Sequence, residues 1–192
     1  MDNIGPSLCF LTYGICLAER LDYRENVRLL GAEIDRMCAL HGVKKPAILM
    51  EPGRSIVAAA GCTLYTVGTV KTIPGFRSYV SVDGGMPDNP RYALYQSEYT
   101  VVNASRASAP ADFTCTVAGR CCESGDLLAE GVPVARPVRG DILAVLVTGA
   151  YNYSMASNYN RIPRPPVIEL AGGEARIAVE RETYEDLLRL DV

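Results

Sequence analysis

A long alternation of side chains over residues 63–71 restricts the fold of this chain more than any other feature. Thr, Tyr, Val and Lys side chains alternate there with Leu, Thr, Gly and Val, and β-branched and aromatic residues predominate. Successive side chains of a strand point to opposite faces, so this pattern predicts a long β-strand. Segments 78–82, 113–118 and 141–148 predict further strands, and the last is apolar enough to be buried on both faces.

Two shorter apolar segments, 167–170 and 176–179, are joined through Ala-Gly-Gly-Glu, which predicts a β-hairpin. Residues 183–190 predict a closing helix. Many strands separated by glycine-rich turns are typical of a β-barrel or a β-sandwich. We therefore expect a mostly antiparallel β domain with flanking helices over residues 61–192.

The segment before this domain has a different pattern. Apolar residues over 23–40 recur at helical spacing, and His41-Gly42 is a suitable helix end. The apolar run 47–50 then predicts a buried strand, and residues 55–60 predict a short helix or a packed connector. Helix, loop and buried strand are the end of an α/β repeat, so the fold class is α+β. Residues 1–21 show no clear period and predict loop with a possible strand.

Composition narrows the class of protein. The 192 residues are 48% hydrophobic and 21% charged, with a net charge of −3, which offers no basic field for nucleic acid or an anionic membrane. Apolar runs are too short to span a bilayer. Seven cysteines lie scattered without paired metal spacing, so we expect no metal site and a reducing, cytoplasmic setting.

The residues Glu51-Pro-Gly-Arg54 stand at the end of the predicted strand at 47–50. In α/β folds this end of a strand is where ligands bind. A carboxylate and a guanidinium directed at one place suit a ligand that is cationic at one end and anionic at the other. A surface turn with a local ion pair explains the same four residues equally well.

The stretch 89–95 predicts a short helix with Asn89 as its N-cap and Pro90 at its first position. Arg91 and Tyr95 are four residues apart, so they share one face of that helix. A guanidinium beside a phenol is suited to gripping a carboxylate. The alternative is a solvated arginine that packs along a core tyrosine.

Two further segments follow predicted strands. In Cys121-Cys122-Glu123-Ser-Gly-Asp126, a thiol beside a carboxylate could deliver a proton to a carbanion, although a structural cysteine before an acidic turn is the commoner case. In residues 149–153, small residues expose backbone and a tyrosine hydroxyl could reach a phosphate. The alternative for the second segment is aromatic packing at a barrel rim.

Six segments occur in an order and spacing that resemble the diaminopimelate decarboxylase branch of the fold type III pyridoxal-phosphate-dependent decarboxylases, from about residue 23 to the end. These are Glu51–Arg54, Asp83–Met86, Arg91–Tyr95, Cys122–Asp126, Gly149–Tyr153 and Tyr159–Pro163. The resemblance implies that residues 1–60 are the remnant of an alanine-racemase-like (β/α)8 barrel. It implies decarboxylation of meso-2,6-diaminoheptanedioate to L-lysine by a homodimer with shared active sites.

The resemblance also implies the cofactor contacts. Glu51 resembles the carboxylate that pairs with the pyridinium nitrogen of pyridoxal 5'-phosphate. Gly53 and Arg54 resemble residues that contact the cofactor phosphate, and Arg54 resembles one that also contacts the substrate. Tyr151 resembles a tyrosine that contacts both the cofactor and the substrate. By the same resemblance, the distal end of the amino-acid substrate is bound by Arg91, Tyr95 and Glu123. Cys122 resembles the proton donor, which in the family comes from the partner subunit.

The chain also departs from the family pattern. Phe10-Leu11-Thr12 stands where the family has a triple-glycine phosphate loop. Lysine occurs only at Lys44, Lys45 and Lys71, none of which is in the context of the lysine that holds the cofactor covalently. We therefore expect the C-terminal part of a longer enzyme, inactive by itself. Alternatives are a non-catalytic homologue or partner subunit, and a related ornithine, arginine or carboxynorspermidine decarboxylase.

Overall fold

The computed structural model of the chain describes residues 22–192. The chain falls into two compact units, one ending at Ala59 and the other running from Ala60 to Val192. The loop or strand predicted within residues 1–21 and the Phe10-Leu11-Thr12 stretch lie outside the described residues.

Helix α1 of the first unit, Tyr23–His41, confirms the predicted helix. It begins at Asp22, whose carboxylate accepts a hydrogen bond from the backbone N–H of Glu25 at 3.0 Å, and it ends at Gly42 with a left-handed φ of 62°. None of its residues is buried, and the Leu29 and Leu40 side chains are 53% and 66% exposed. Its apolar face is therefore uncovered within the described part of the chain.

The predicted buried strand at residues 47–50 is wrong. These residues have no regular secondary structure, and Leu49 is 88% exposed. A strand needs a neighbouring ladder for its N–H and C=O groups, and residues 22–59 contain no strand that could provide one. The predicted short helix is confirmed by α2, Arg54–Val57, which continues as a 3₁₀ turn over Ala58–Ala60.

The second unit is a mostly sheet domain with two short helices. Helix α3 comprises Arg91–Tyr95, and α4 comprises Tyr184–Leu188. The strands are β1 Cys62–Ile73, β2 Arg77–Val82, β3 Val101–Asn103, β4 Phe113–Ala118, β5 Leu127–Val134, β6 Ile142–Leu146, β7 Val167–Ala171 and β8 Glu174–Val179.

Six strands form one sheet in the order β3-β6-β1-β2-β4-β5, and only β2 and β4 pair in parallel. The edge strands β3 and β5 approach each other where Asn103 Nδ2 donates to the carbonyl of Ala135 at 3.2 Å, so the sheet is nearly closed into a barrel. Its interior is filled by one cluster of fully buried side chains. These include Val67, Val80, Val117, Leu128, Val134, Leu143 and Val145.

The strands predicted at 63–71, 78–82, 113–118 and 141–148 correspond to β1, β2, β4 and β6, and the hairpin to β7 and β8. Strands β3 and β5 were missed, because β3 has three residues and β5 contains Gly131 and Pro133, which usually interrupt strands. The closing helix is confirmed by α4, which begins at Thr183 with a capping box. No helix among residues 22–192 has the length and apolar character to cross a membrane.

Candidate functional site

Helix α3 fixes Arg91 against two aromatic rings. The guanidinium carbon lies 5.1 Å from the ring centroid of Tyr95 and 5.6 Å from that of Tyr151. Both distances are within the range of cation–π attraction. The structure thus brings together three side chains that the sequence had placed in two separate segments. The predicted N-cap is wrong, however: Pro90 occupies the N-cap position, and Asn89 is fully buried.

The Arg91 guanidinium lacks an acid partner among the described residues. Its Nε is buried without a hydrogen-bond acceptor, and its Nη1 lies 3.9 Å from the sulfur of Met155. A buried charged donor without an acceptor is costly, and protein interiors rarely contain one. Arg91 as a whole is half-buried and has no acidic partner among residues 22–192, so its guanidinium charge is suited to a carboxylate from outside the chain.

The neighbouring residue Tyr92 anchors α3 to the sheet. Its hydroxyl donates to Glu130 Oε2 of β5 at 2.5 Å, and Arg77 of β2 pairs with the other oxygen of the same carboxylate. Burial, followed by the bonded Glu130 carboxylate, raises the pKa of Tyr92 to about 12. The Tyr92 phenol therefore keeps its proton at neutral pH, and its hydrogen bond to Glu130 continues to hold α3 on the sheet.

Tyr151 lies on a loop whose backbone passes very close to the start of β1. A Cβ on Gly61 would lie 2.5 Å from the Cα of Gly149, and the Thr148 N–H donates to the Gly61 carbonyl at 3.0 Å. Only glycine at position 61 permits this approach. Tyr151 itself has a left-handed φ of 62°, and its side chain is 45% exposed. The ring thus contacts Arg91 while part of its surface stays open to a ligand.

Cys122 and Glu123 lie exposed on the turn after β4. The Glu123 carboxylate accepts a hydrogen bond from the hydroxyl of Tyr159, which raises the pKa of that tyrosine. The Asp126 side chain at the end of the turn is buried and accepts two backbone hydrogen bonds. Sequence reasoning did not single out Tyr159 or Asp126, although Tyr159 begins and Asp126 ends a segment that was noted.

The remaining predicted cofactor residues belong to the first unit. Glu51 is exposed in a segment without regular structure, Gly53 stands directly before α2, and Arg54, the first residue of α2, is buried. Their predicted convergence with Tyr151 stays a prediction.

The three lysines and the histidine are all exposed. Lys44, Lys45 and Lys71 have no buried side chain, and Lys45 pairs with Asp35 of α1 at 2.6 Å. His41 is the last residue of α1. Within residues 22–192 no three His, Cys, Asp or Glu side chains are grouped to hold a metal ion.

The guanidinium, phenol, carboxylate and thiol groups described above lie on the loops and short helix of a nearly closed sheet. This combination points to one class of protein. Residues 16–149 match the family model described as the C-terminal sheet domain of pyridoxal-dependent decarboxylases, and the chain belongs to this family.

Individual relatives are more specific. The chain is 50% identical over 174 residues to the diaminopimelate decarboxylase of Bacillus subtilis (strain 168), which covers 91% of this chain and 40% of that protein. It is 45% identical over 192 residues to the diaminopimelate decarboxylase of Synechocystis, covering 98% of this chain and 40% of that protein. The chain thus spans about 40% of the length of these curated relatives.

A solved structure agrees with these relatives. The diaminopimelate decarboxylase of M. jannaschii in complex with L-lysine superimposes with a TM-score of 0.70 at 34% identity, covering 83% of this chain and 36% of that one. The sheet domain described here is therefore the C-terminal domain of the same architecture.

Proposed function

We propose that this chain is the C-terminal part of a diaminopimelate decarboxylase, which removes CO2 from meso-2,6-diaminoheptanedioate to give L-lysine. One observation carries the proposal: Arg91 stands between Tyr95 and Tyr151 with its buried Nε lacking an acceptor. The distal end of this substrate has a carboxylate that would pair with Arg91, and an ammonium that suits the exposed carboxylate of Glu123.

The donor set also suits pyridoxal 5'-phosphate. Glu51 would face its pyridinium nitrogen, while Gly53, Arg54 and the half-exposed phenol of Tyr151 would contact its phosphate. When bound, this cofactor supplies an electron-poor ring that accepts the electron pair left by the departing CO2. Cys122, exposed at the tip of its turn, would deliver a proton to the α-carbon.

We include in the proposal that residues 1–60 are the remnant of a (β/α)8 barrel. The uncovered apolar face of α1 and the exposed side chain of Leu49 support this assignment, because such surfaces need a covering partner. The rest of such a barrel would provide it, along with the cofactor-bearing lysine. In the assembled enzyme, a homodimer would share each active site, with Cys122 contributed by the partner subunit.

A second candidate is a non-catalytic homologue or partner subunit. The exposure of Lys44, Lys45 and Lys71 favours it for the isolated chain, because a lysine that holds a cofactor needs an enclosed site. A related ornithine, arginine or carboxynorspermidine decarboxylase is the third candidate. Such substrates have no distal carboxylate for Arg91, so the unpartnered guanidinium argues against it.

The test is complementation. The chain is co-expressed with the N-terminal part of the Bacillus subtilis relative, the part that this chain does not match, and L-lysine formation from meso-2,6-diaminoheptanedioate is measured. We expect lysine from the pair and none from either piece alone. A folded, associated pair that produces no lysine would favour the non-catalytic reading.

Borohydride treatment of the chain with pyridoxal phosphate tests the lysines without an activity assay. We expect no trapped adduct when peptides are mapped by mass spectrometry. A trapped adduct at Lys44, Lys45 or Lys71 would contradict the view that another segment supplies the cofactor-bearing lysine.

A further inference from the structure

The side chain of Asp126 joins two loops that are far apart in the sequence. It is only 2% exposed. Its Oδ1 accepts a hydrogen bond from the N–H of Met86 at 2.6 Å, and its Oδ2 accepts one from the N–H of Cys121 at 2.7 Å. A carboxylate that accepts backbone N–H groups forms hydrogen bonds of the stronger, charge-assisted kind.

Two glycines make room for this carboxylate. A Cβ on Gly85 would lie 2.4 Å from Oδ1, and a Cβ on Gly119 would lie 2.2 Å from Oδ2. Real Cβ atoms do not approach oxygen so closely, so neither position accepts a side chain while Asp126 stays in place. The carboxylate is thus enclosed by backbone on two sides, which defines its position closely.

One backbone hydrogen bond also links the two loops, and a second lies within the turn itself. The Arg120 N–H donates to the Gly84 carbonyl at 3.0 Å, and the Asp126 N–H donates to the Glu123 carbonyl at 3.1 Å. The turn that carries Cys122 and Glu123 is therefore fixed at its base, while these two side chains lie exposed at its tip.

We infer that Asp126 is a positioning residue for Cys122 and Glu123, acting by clamping their turn to the loop that begins at Asp83. This inference rests on the proposed function, because it assigns a purpose to the position of that thiol and that carboxylate. Asp126 itself is buried behind the turn and acts only through these two side chains.

The effect of Asp126 on the turn can be measured through the reactivity of the neighbouring Cys121 thiol. Cys121 is half-buried, and burial, followed by the nearby Asp126 carboxylate, raises its pKa to about 11. Thiols react as thiolates, so we expect Cys121 to react slowly with iodoacetamide near pH 8 and the exposed Cys122 to react faster. Release of the turn would expose Cys121 and increase its labelling relative to Cys122.

The experiment compares Asp126→Asn with the unaltered chain by peptide mapping after brief alkylation. The amide is isosteric but presents an NH2 group to a backbone N–H, so one of the two hydrogen bonds is lost. We expect the Cys121:Cys122 labelling ratio to rise about fivefold to tenfold, as a fall of about one unit in thiol pKa would produce. Asp112→Asn, the same charge change at an exposed residue before β4, should leave the ratio unchanged.

A second variant keeps the charge. Gly119→Ala should displace the Asp126 carboxylate by collision and raise the same ratio. An unchanged ratio in folded Asp126→Asn would overturn the inference. Unfolding of both variants would also overturn it, because Asp126 would then support the whole domain rather than position one turn.

Kinetics of the complemented enzyme separates positioning from general stability. Asp126→Asn should lower kcat about tenfold, with the amount of bound pyridoxal phosphate and the melting temperature little changed. An unaltered kcat alongside a lower melting temperature would overturn the inference. If the unaltered pair makes no lysine at all, the proposed function fails, whereas the labelling ratio still decides the role of Asp126.

Discussion

The guanidinium carbon of Arg91 lies 5.6 Å from the ring centroid of Tyr151, although α3 and the loop after β6 are far apart in the sequence. The contact is possible because Tyr92 fixes α3 on β5, and because Gly61 lets the Tyr151 loop cross the start of β1. Two separate features of the sheet domain therefore place one guanidinium between two aromatic rings.

Arg91→Lys should weaken binding of a substrate that has a distal carboxylate. An ammonium lacks the planar surface that stacks on Tyr95 and Tyr151, and it cannot replace the buried Nε–H. Loss of one charge-assisted hydrogen bond of about 1.5–3 kcal/mol predicts a fall in kcat/KM of roughly tenfold to hundredfold in the complemented enzyme. Arg139→Lys, at an exposed position, is the matched control. An unchanged kcat/KM would remove Arg91 from the substrate site.

Cys122→Ala should slow turnover more than it weakens binding. A group that transfers a proton in the transition state contributes to kcat, and its loss typically costs about 10²–10⁴-fold. Steady-state kinetics of the complemented enzyme measures both parameters. Cys62→Ala, which removes another exposed thiol, should leave kcat unchanged. A Cys122→Ala variant with normal kcat would show that another group donates the proton.

If Glu123 binds the substrate ammonium as we propose, Tyr159→Phe should weaken that binding. The Tyr159 hydroxyl donates to the Glu123 carboxylate, and without this bond the carboxylate is free to adopt other rotamers. A net hydrogen-bond contribution of about 0.5–1.5 kcal/mol predicts a rise in KM of roughly twofold to tenfold with a smaller effect on kcat. Tyr184→Phe, on the exposed face of α4, is the control. A change confined to kcat would contradict a binding role.

Glu182 should make the stability of the sheet domain depend on pH. Hydrogen bonds from Arg164, and a further one from Asn158, lower the pKa of its carboxyl group from 4.5 to about 2. Because the folded-state pKa is the lower one, the stabilisation is complete above about pH 5 and is lost as the pH falls toward 2.

Glu182→Gln should therefore reduce the free energy of unfolding at neutral pH by about 1–2 kcal/mol, after allowance for solvent screening. Its stability should then decline less steeply between about pH 5 and pH 3 than that of the unaltered chain. Urea unfolding followed by circular dichroism at several pH values measures both effects. Glu180→Gln, at an exposed position nearby, should follow the unaltered curve. Parallel curves for Glu182→Gln and the unaltered chain would contradict the ion pair.

The sequence by itself determined those helices, strands and turns that depend on patterns within a few neighbouring residues. The alternation over 63–71 predicted β1, the helical spacing over 23–40 predicted α1, and a glycine-rich turn predicted the β7–β8 hairpin. The run at 47–50 failed because burial of a strand depends on neighbours that residues 22–59 do not contain. The order and spacing of the motifs also identified the family, and the match of the family model to residues 16–149 confirms it.

Only the tertiary structure decided which of these side chains meet. No local pattern shows that Arg91 contacts Tyr151, that Tyr159 donates to Glu123, or that Asp126 fits between Gly85 and Gly119. The physical reason is that these contacts depend on strand order and on close backbone crossings, and both are properties of the closed sheet as a whole. Propensity and periodicity act over a few residues, whereas closure of the sheet joins residues that are distant in the sequence.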